Sequence, residues 1–185
     1  MPIRPLHTLF AGLAALTLVL ASASAGADKK VDIDRKSQEA LVALRDHARG
    51  SGKLLDKAVG VLVFPDVVKM GFGVGGQYGE GSLLVGGKPV AYYVTAGASF
   101  GLQAGAQVKS EVILFMTEEA LQRFRSSLGW EVGVDGSVAL VKLGAGGTLD
   151  TKTVRQPVVG FIFSNKGLMA NLTFEGGKIT RIARR

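Results

Sequence analysis

Few side chains in this sequence could do chemistry at neutral pH. Once an N-terminal leader is set aside, one histidine remains, His47, and there is no cysteine anywhere. Acid–base or nucleophilic catalysis needs a group that titrates near neutrality, or a nucleophile beside an oriented base. A serine–histidine–acid triad would have to be built on His47. That residue falls near the end of a charged helical stretch, where a surface histidine complements the helix dipole. No strained nucleophile motif accompanies it. Carboxylates are scattered singly, and neither a histidine–cysteine cluster nor calcium-loop spacing occurs. No catalytic residue, metal ligand or cofactor is assigned, and the chain reads as a non-enzyme.

One string invites a nucleotide. Gly71-Phe72-Gly73-Val74-Gly75-Gly76 has the glycine spacing of a dinucleotide fingerprint, which works only between a strand and a helix whose N-terminus receives the pyrophosphate. The next residues, Gln77-Tyr78-Gly79-Glu80-Gly81, do not make a helix. The glycines read instead as strand glycines: Gly71, Gly73, Gly75, Gly79 and Gly81 share one parity, with Phe72, Val74 and Tyr78 on the other. The segment Ala98 to Lys109 repeats the theme, with Phe100, Leu102 and Val108 alternating with Gly101, Gln103 and Lys109. Glycine at this density and period implies tight bending or close approach of another backbone.

The elements around these strands are set by local signals. Asp34 is expected to cap a helix with Leu41, Leu44 and Ala48 on its apolar side, ending by Gly50-Ser51-Gly52; a short second helix covers Lys53 to Ala58. Val59 to Phe64 is a β-branched run expected to stop at Pro65. Gly86-Gly87 turns the chain into Val90 to Thr95, and Glu111 to Met116 is a buried strand. Thr117-Glu118-Glu119 starts a mid-chain helix with Leu121, Phe124 and Leu128 on its apolar side, closed by Gly129. Further extended stretches are expected at Glu131 to Leu143 and Val158 to Phe163. Hairpin turns at Ser164-Asn165-Lys166-Gly167 and Glu175-Gly176-Gly177-Lys178 lead into Leu168 to Phe174 and Ile179 to Ile182. The fold class is α+β and β-rich: a strongly coiled or barrel-like antiparallel sheet of glycine-rich strands, two N-terminal helices and one mid-chain helix.

Arg4 and His7, the apolar run Leu9 to Leu20 and then Ala23-Ser24-Ala25 have the basic, apolar, small order of a secretory signal. The run is too short to span a bilayer. Residues 1–25 are therefore expected to be a cleaved signal peptide and residues 26–185 a single domain, periplasmic or secreted and peripheral to a membrane. The net charge of +7 is uneven: from Thr151 onward Lys152, Arg155, Lys166, Lys178, Arg181, Arg184 and Arg185 face Glu175 alone. Aromatic residues are not interleaved with these cations, and export argues against nucleic acid as a partner.

Four blocks carry a family resemblance: Lys57-Ala58-Val59-Gly60-Val61-Leu62-Val63-Phe64-Pro65, then Gly71 to Gly81, then Glu111 to Leu121, then Asn165 to Gly176. In this order they resemble the SYLF domain, a lipid-binding module that is also described as actin-binding and has bacterial secreted members. The sequence departs from the pattern at Met169, where phenylalanine is usual, and at Asn171, where glycine is. The resemblance implies a non-catalytic domain that binds phosphoinositides or other anionic phospholipids, with the N-terminal part in membrane contact. Export removes access to cytoplasmic actin and directs the reading to an anionic phospholipid surface of the cell envelope. Lys53 and Lys57 with Leu54 and Leu55 on the second helix, and Lys178, Arg181, Arg184 and Arg185 at the C-terminus, are the lipid-binding residues expected. The alternatives are an envelope protein partner met without lipid, or a carrier with a small hydrophobic ligand inside the β-structure.

Overall fold

The computed structural model describes residues 29–141, 155–164, 167–169, 174 and 177–183. Its frame is one long hairpin. Strands β1 (Gly60–Val85) and β2 (Lys88–Phe115) pair antiparallel from Val85 and Lys88 at the turn to Gly60 and Phe115 at the far end. Gly86 and Gly87 between them have φ of 58° and 76°, as a two-residue loop matched to the strand twist requires.

The short runs expected from the sequence are thus merged, and Pro65 does not stop the first of them. Among the described residues β1 pairs only with β2, so its other flank is an edge there, where a residue without an N–H is tolerated. The ladder also skips there. Phe64 pairs with Glu111 and Val67 with Lys109, so Pro65 and Asp66 bulge opposite Ser110, whose hydroxyl donates to the Pro65 carbonyl at 2.7 Å.

The hairpin is doubled over. One end of β2, Ser110 to Phe115, pairs with β5 (Val158–Ser164), while Tyr92 to Gly97 pairs with β7 (Gly177–Ile182). Between them β1 meets itself. A β-carbon at Gly81 would clash with the Val63 carbonyl oxygen, one at Gly75 with that of Met70, and one at Gly79 would lie 3.0 Å from that of Asp66. The glycines at Gly75, Gly79 and Gly81 therefore serve close approach: main-chain oxygens of the first arm press into the bare face of the second. Three short strands complete the sheet: β3 (Trp130–Glu131) beside β7, and β4 (Ala139–Leu140) and β6 (Gly167–Leu168) beside β5. The curled sheet of glycine-rich strands is as expected.

Helices cover both faces. Helix α1 (residues 29–47) and α2 (Ser51–Lys57) bury Ala40, Leu44, Leu54 and Leu55 against Val63, Leu84, Val112, Leu114, Phe161 and Phe163. Helix α3 (Glu118–Ser126) sends Leu121 and Phe124 to the other side, with Leu62, Phe64, Ile113, Phe115 and Trp130. Alternate residues of one β2 segment thus serve two cores, as a strand period of two dictates.

Three local expectations change. Asp34 lies inside α1 rather than capping it, and its Oδ2 accepts from the Tyr92 hydroxyl at 2.8 Å, a long-range bond that no local pattern encodes. The stretch from Glu131 is not one strand: β3 is followed by a turn in which Gly133 has φ 93° and Asp135 accepts from the Glu131 N–H at 2.7 Å, then by β4, which runs parallel to β5. Helix α3 starts as expected, with Thr117 Oγ1 accepting from the Ala120 N–H at 3.3 Å, but ends at Ser126. Leu128 therefore falls outside it and is fully exposed. Residues 1–25, 142–143, 165–166, 170–173 and 175–176, on which other expectations fall, lie outside the described residues.

Candidate functional site

The two groups of expected lipid-binding residues sit differently. On α2, Lys53 and Lys57 are exposed, whereas Leu54 and Leu55 are each 8% exposed and part of the helix-side core. In this packing the leucines of α2 hold the helix to the core and its exposed side carries Lys53 and Lys57. The Ser51 hydroxyl donates to the Leu44 carbonyl at 3.2 Å and Arg45 pairs with Asp56 at 3.6 Å, so both ends of α2 are tied to α1. On β7, Lys178 and Arg181 are exposed; Arg184 and Arg185 lie outside the described residues. β7 lies between β2 and β3, and its Ile179 belongs to the same core as Leu121 and Phe124 of α3. Among the described residues, the expected cations are divided between α2, with Lys53 and Lys57, and β7, with Lys178 and Arg181.

Around β7 it gathers others. The Lys178 side chain passes Gly129, where a β-carbon would meet its Cε at 2.8 Å. Arg125, in the last turn of α3, and Arg181 both act electrostatically on Tyr93; burial pushes the Tyr93 hydroxyl above its ordinary pKa, and the two guanidinium groups offset part of that. Leu128, next in the chain to Gly129 and three residues beyond Arg125, is 98% exposed. It is held there from both sides. The Ser127 N–H and hydroxyl both engage the Phe124 carbonyl, and Trp130, on the far side, is buried with its ring edge-on to Phe124 at 5.6 Å. Sequence reasoning missed Arg125 as a site residue and placed Leu128 on the apolar side of a helix. Ser126-Ser127, whose hydroxyls compete for helix carbonyls, is the signal that would have exposed Leu128.

The inner face hides a charged pair. Lys109 and Glu111, each 2% exposed, meet at 2.8 Å between Nζ and Oε1. Their backbone partners are Val67, Phe64 and Ile162, so the pair lies among apolar groups. Desolvation pushes the Glu111 carboxyl above the usual carboxylate range, and Lys109 pulls it part of the way back. Its polar partner is a neighbour on the same strand, and among the described residues neither group bonds to a nucleophile or a second acid.

Elsewhere the chemistry is neutralised. A cleft of about 450 Å³ between α1 and the bulge is lined by Lys36, Glu39, Asp66, Ser110 and Phe163. Its Lys36 already bridges Asp32 at 3.2 Å and Asp66 at 3.1 Å. His47 closes α1, half-buried, with its ring 6.4 Å from that of Phe163. Among the described residues no cluster of histidine and carboxylate groups could hold a metal ion, and no helix is long and apolar enough to cross a membrane.

Two comparisons bear on this arrangement. Residues 96–183 match the family described as Ysc84, Las17-binding protein actin regulator. That segment runs from within β2 through α3 to the end of β7, and so contains Arg125, Leu128, Lys178 and Arg181. No curated protein matches the chain.

Proposed function

We propose that this chain, whose residues 96–183 match the Ysc84 (SYLF) family of binding domains, is a non-catalytic domain that binds anionic phospholipid at a membrane surface. Its setting, in this reading, is extracytoplasmic: the basic, apolar, small order of residues 4–25 supports export, and actin is then out of reach. The single observation that carries the lipid reading is that Lys53, Lys57, Lys178 and Arg181 are all exposed and none is in an ion pair among the described residues, unlike Arg35, Lys36, Arg45 and Arg123.

Free surface cations attract an anionic leaflet by ~1 kcal/mol each. With Leu54 and Leu55 fixed in the core, α2 contributes charge alone, so association there is electrostatic and sensitive to salt. The test is co-sedimentation with vesicles of phosphatidylglycerol and of phosphatidylcholine. Binding to the first, falling as salt is raised, is expected. Equal binding to both, or to neither, would remove the reading and leave a protein partner in the envelope as the account of the same surface.

A further inference from the structure

A domain that binds lipid must turn one side to the bilayer, and the residues around Leu128 mark that side. Single exposed leucines are ordinary on protein surfaces. This one differs in its setting and its fixation. The chain on either side of it is anchored in the core by Phe124 and Trp130, and the turn is closed by three hydrogen bonds from Ser126 and Ser127 to the Arg123 and Phe124 carbonyls. Leu128 therefore cannot fold back to hide its side chain without dismantling that end of α3.

Its polar surroundings are cationic. Lys178 runs beside the neighbouring Gly129, and Arg125 and Arg181 are close enough to bias Tyr93; none of the three has an ion-pair partner among the described residues. The acids nearest in the chain are otherwise engaged or set back. Glu119, at the other end of α3, pairs with Arg123, and Asp135 accepts from the Glu131 N–H. Glu131 is exposed and lies across from Lys178 on β3, without an ion pair. Arg181 also lines a groove of about 450 Å³ with Lys30, Tyr92, Val90 and Ile182.

We propose that the α3–β3 turn is the membrane-facing surface, with Leu128 entering the acyl boundary of an anionic bilayer while Arg125, Lys178 and Arg181 meet its phosphates. The inference rests on the lipid-binding reading and specifies its surface. The combination of an apolar tip and a cationic collar is what interfacial anchors use, since burial and charge attraction add. α2 has the charge without the tip. The orientation also departs from the contact through the N-terminal part that the sequence resemblance implies.

Because the chain has no cysteine, Leu128→Cys can be labelled at one place with an environment-sensitive fluorophore. On phosphatidylglycerol vesicles the label is expected to brighten and shift to the blue, and on phosphatidylcholine vesicles to stay unchanged. In co-sedimentation on phosphatidylglycerol, Leu128→Ser is expected to weaken binding about tenfold. Arg125→Gln and Arg181→Gln are each expected to weaken it about fivefold. Thermal unfolding of each variant checks that the fold is kept. If the wild-type protein binds and these variants bind equally well, with the label still in water, the surface is wrong while lipid binding stands. If the wild-type protein binds no vesicle, both readings fall.

Discussion

Helices α2 and α3 dock on opposite faces of one strand segment, α2 with Val112 and Leu114 and α3 with Ile113 and Phe115, and each carries exposed cations near a leucine. The difference lies in where the leucine goes. Leu54 and Leu55 are spent on the core, so α2 is a fixed plate of charge, whereas α3 stops before Leu128 and leaves it in solvent. An apolar residue beside basic ones is therefore no guide to membrane contact by itself. What decides is whether the helix continues far enough to turn that residue inward.

The interior on which α3 rests gives the largest test of that contrast. Glu111→Leu alone strands the Lys109 ammonium among apolar groups and is expected to cost about 3–5 kcal/mol, measured by urea unfolding. The double change Glu111→Leu with Lys109→Met is expected to recover most of that loss. A single variant as stable as the wild type would mean that water reaches the pair. Next in size, Leu55→Ala should lower stability by about 2–5 kcal/mol, while Leu128→Ala should change it by less than about 0.5 kcal/mol. Similar losses at both positions would erase the distinction between the two regions. The smallest effect is in pH. The Glu111 pKa is raised by folding, so the native state holds a proton that the unfolded chain has already released. Its contribution to stability is full below the unfolded carboxylate value and is lost as pH rises through the raised native one. A pH series of unfolding curves on the double variant should lack that fall.

Much of the framework was legible because it is written in local chemistry. Gly86-Gly87 demanded a tight hairpin, Thr117 a helix start, and the equal parity of Gly75, Gly79 and Gly81 a close approach. What escaped depends on partners distant in sequence. Pro65 reads as a stop until β1 is known to be an edge strand, and Lys109 reads as the solvent side of an alternation until the doubled hairpin encloses it. At the candidate site the cations of α2 and β7 were legible as charges, but no sequence pattern fixed which faces they share. The burial of Leu54 and Leu55 and the release of Leu128 are decisions of a single helical turn each, below what periodicity can specify.

The way β1 is closed has a bearing on solubility. A 26-residue strand with one flank unpaired would ordinarily be a template on which another molecule could polymerise. Here the Val63 and Met70 oxygens are turned into the molecule's own glycine face, which leaves a second chain little to align with. Even a methyl group at Gly81 would wedge that seam apart, and the damage would show first as precipitation of the expressed protein, ahead of any loss of binding.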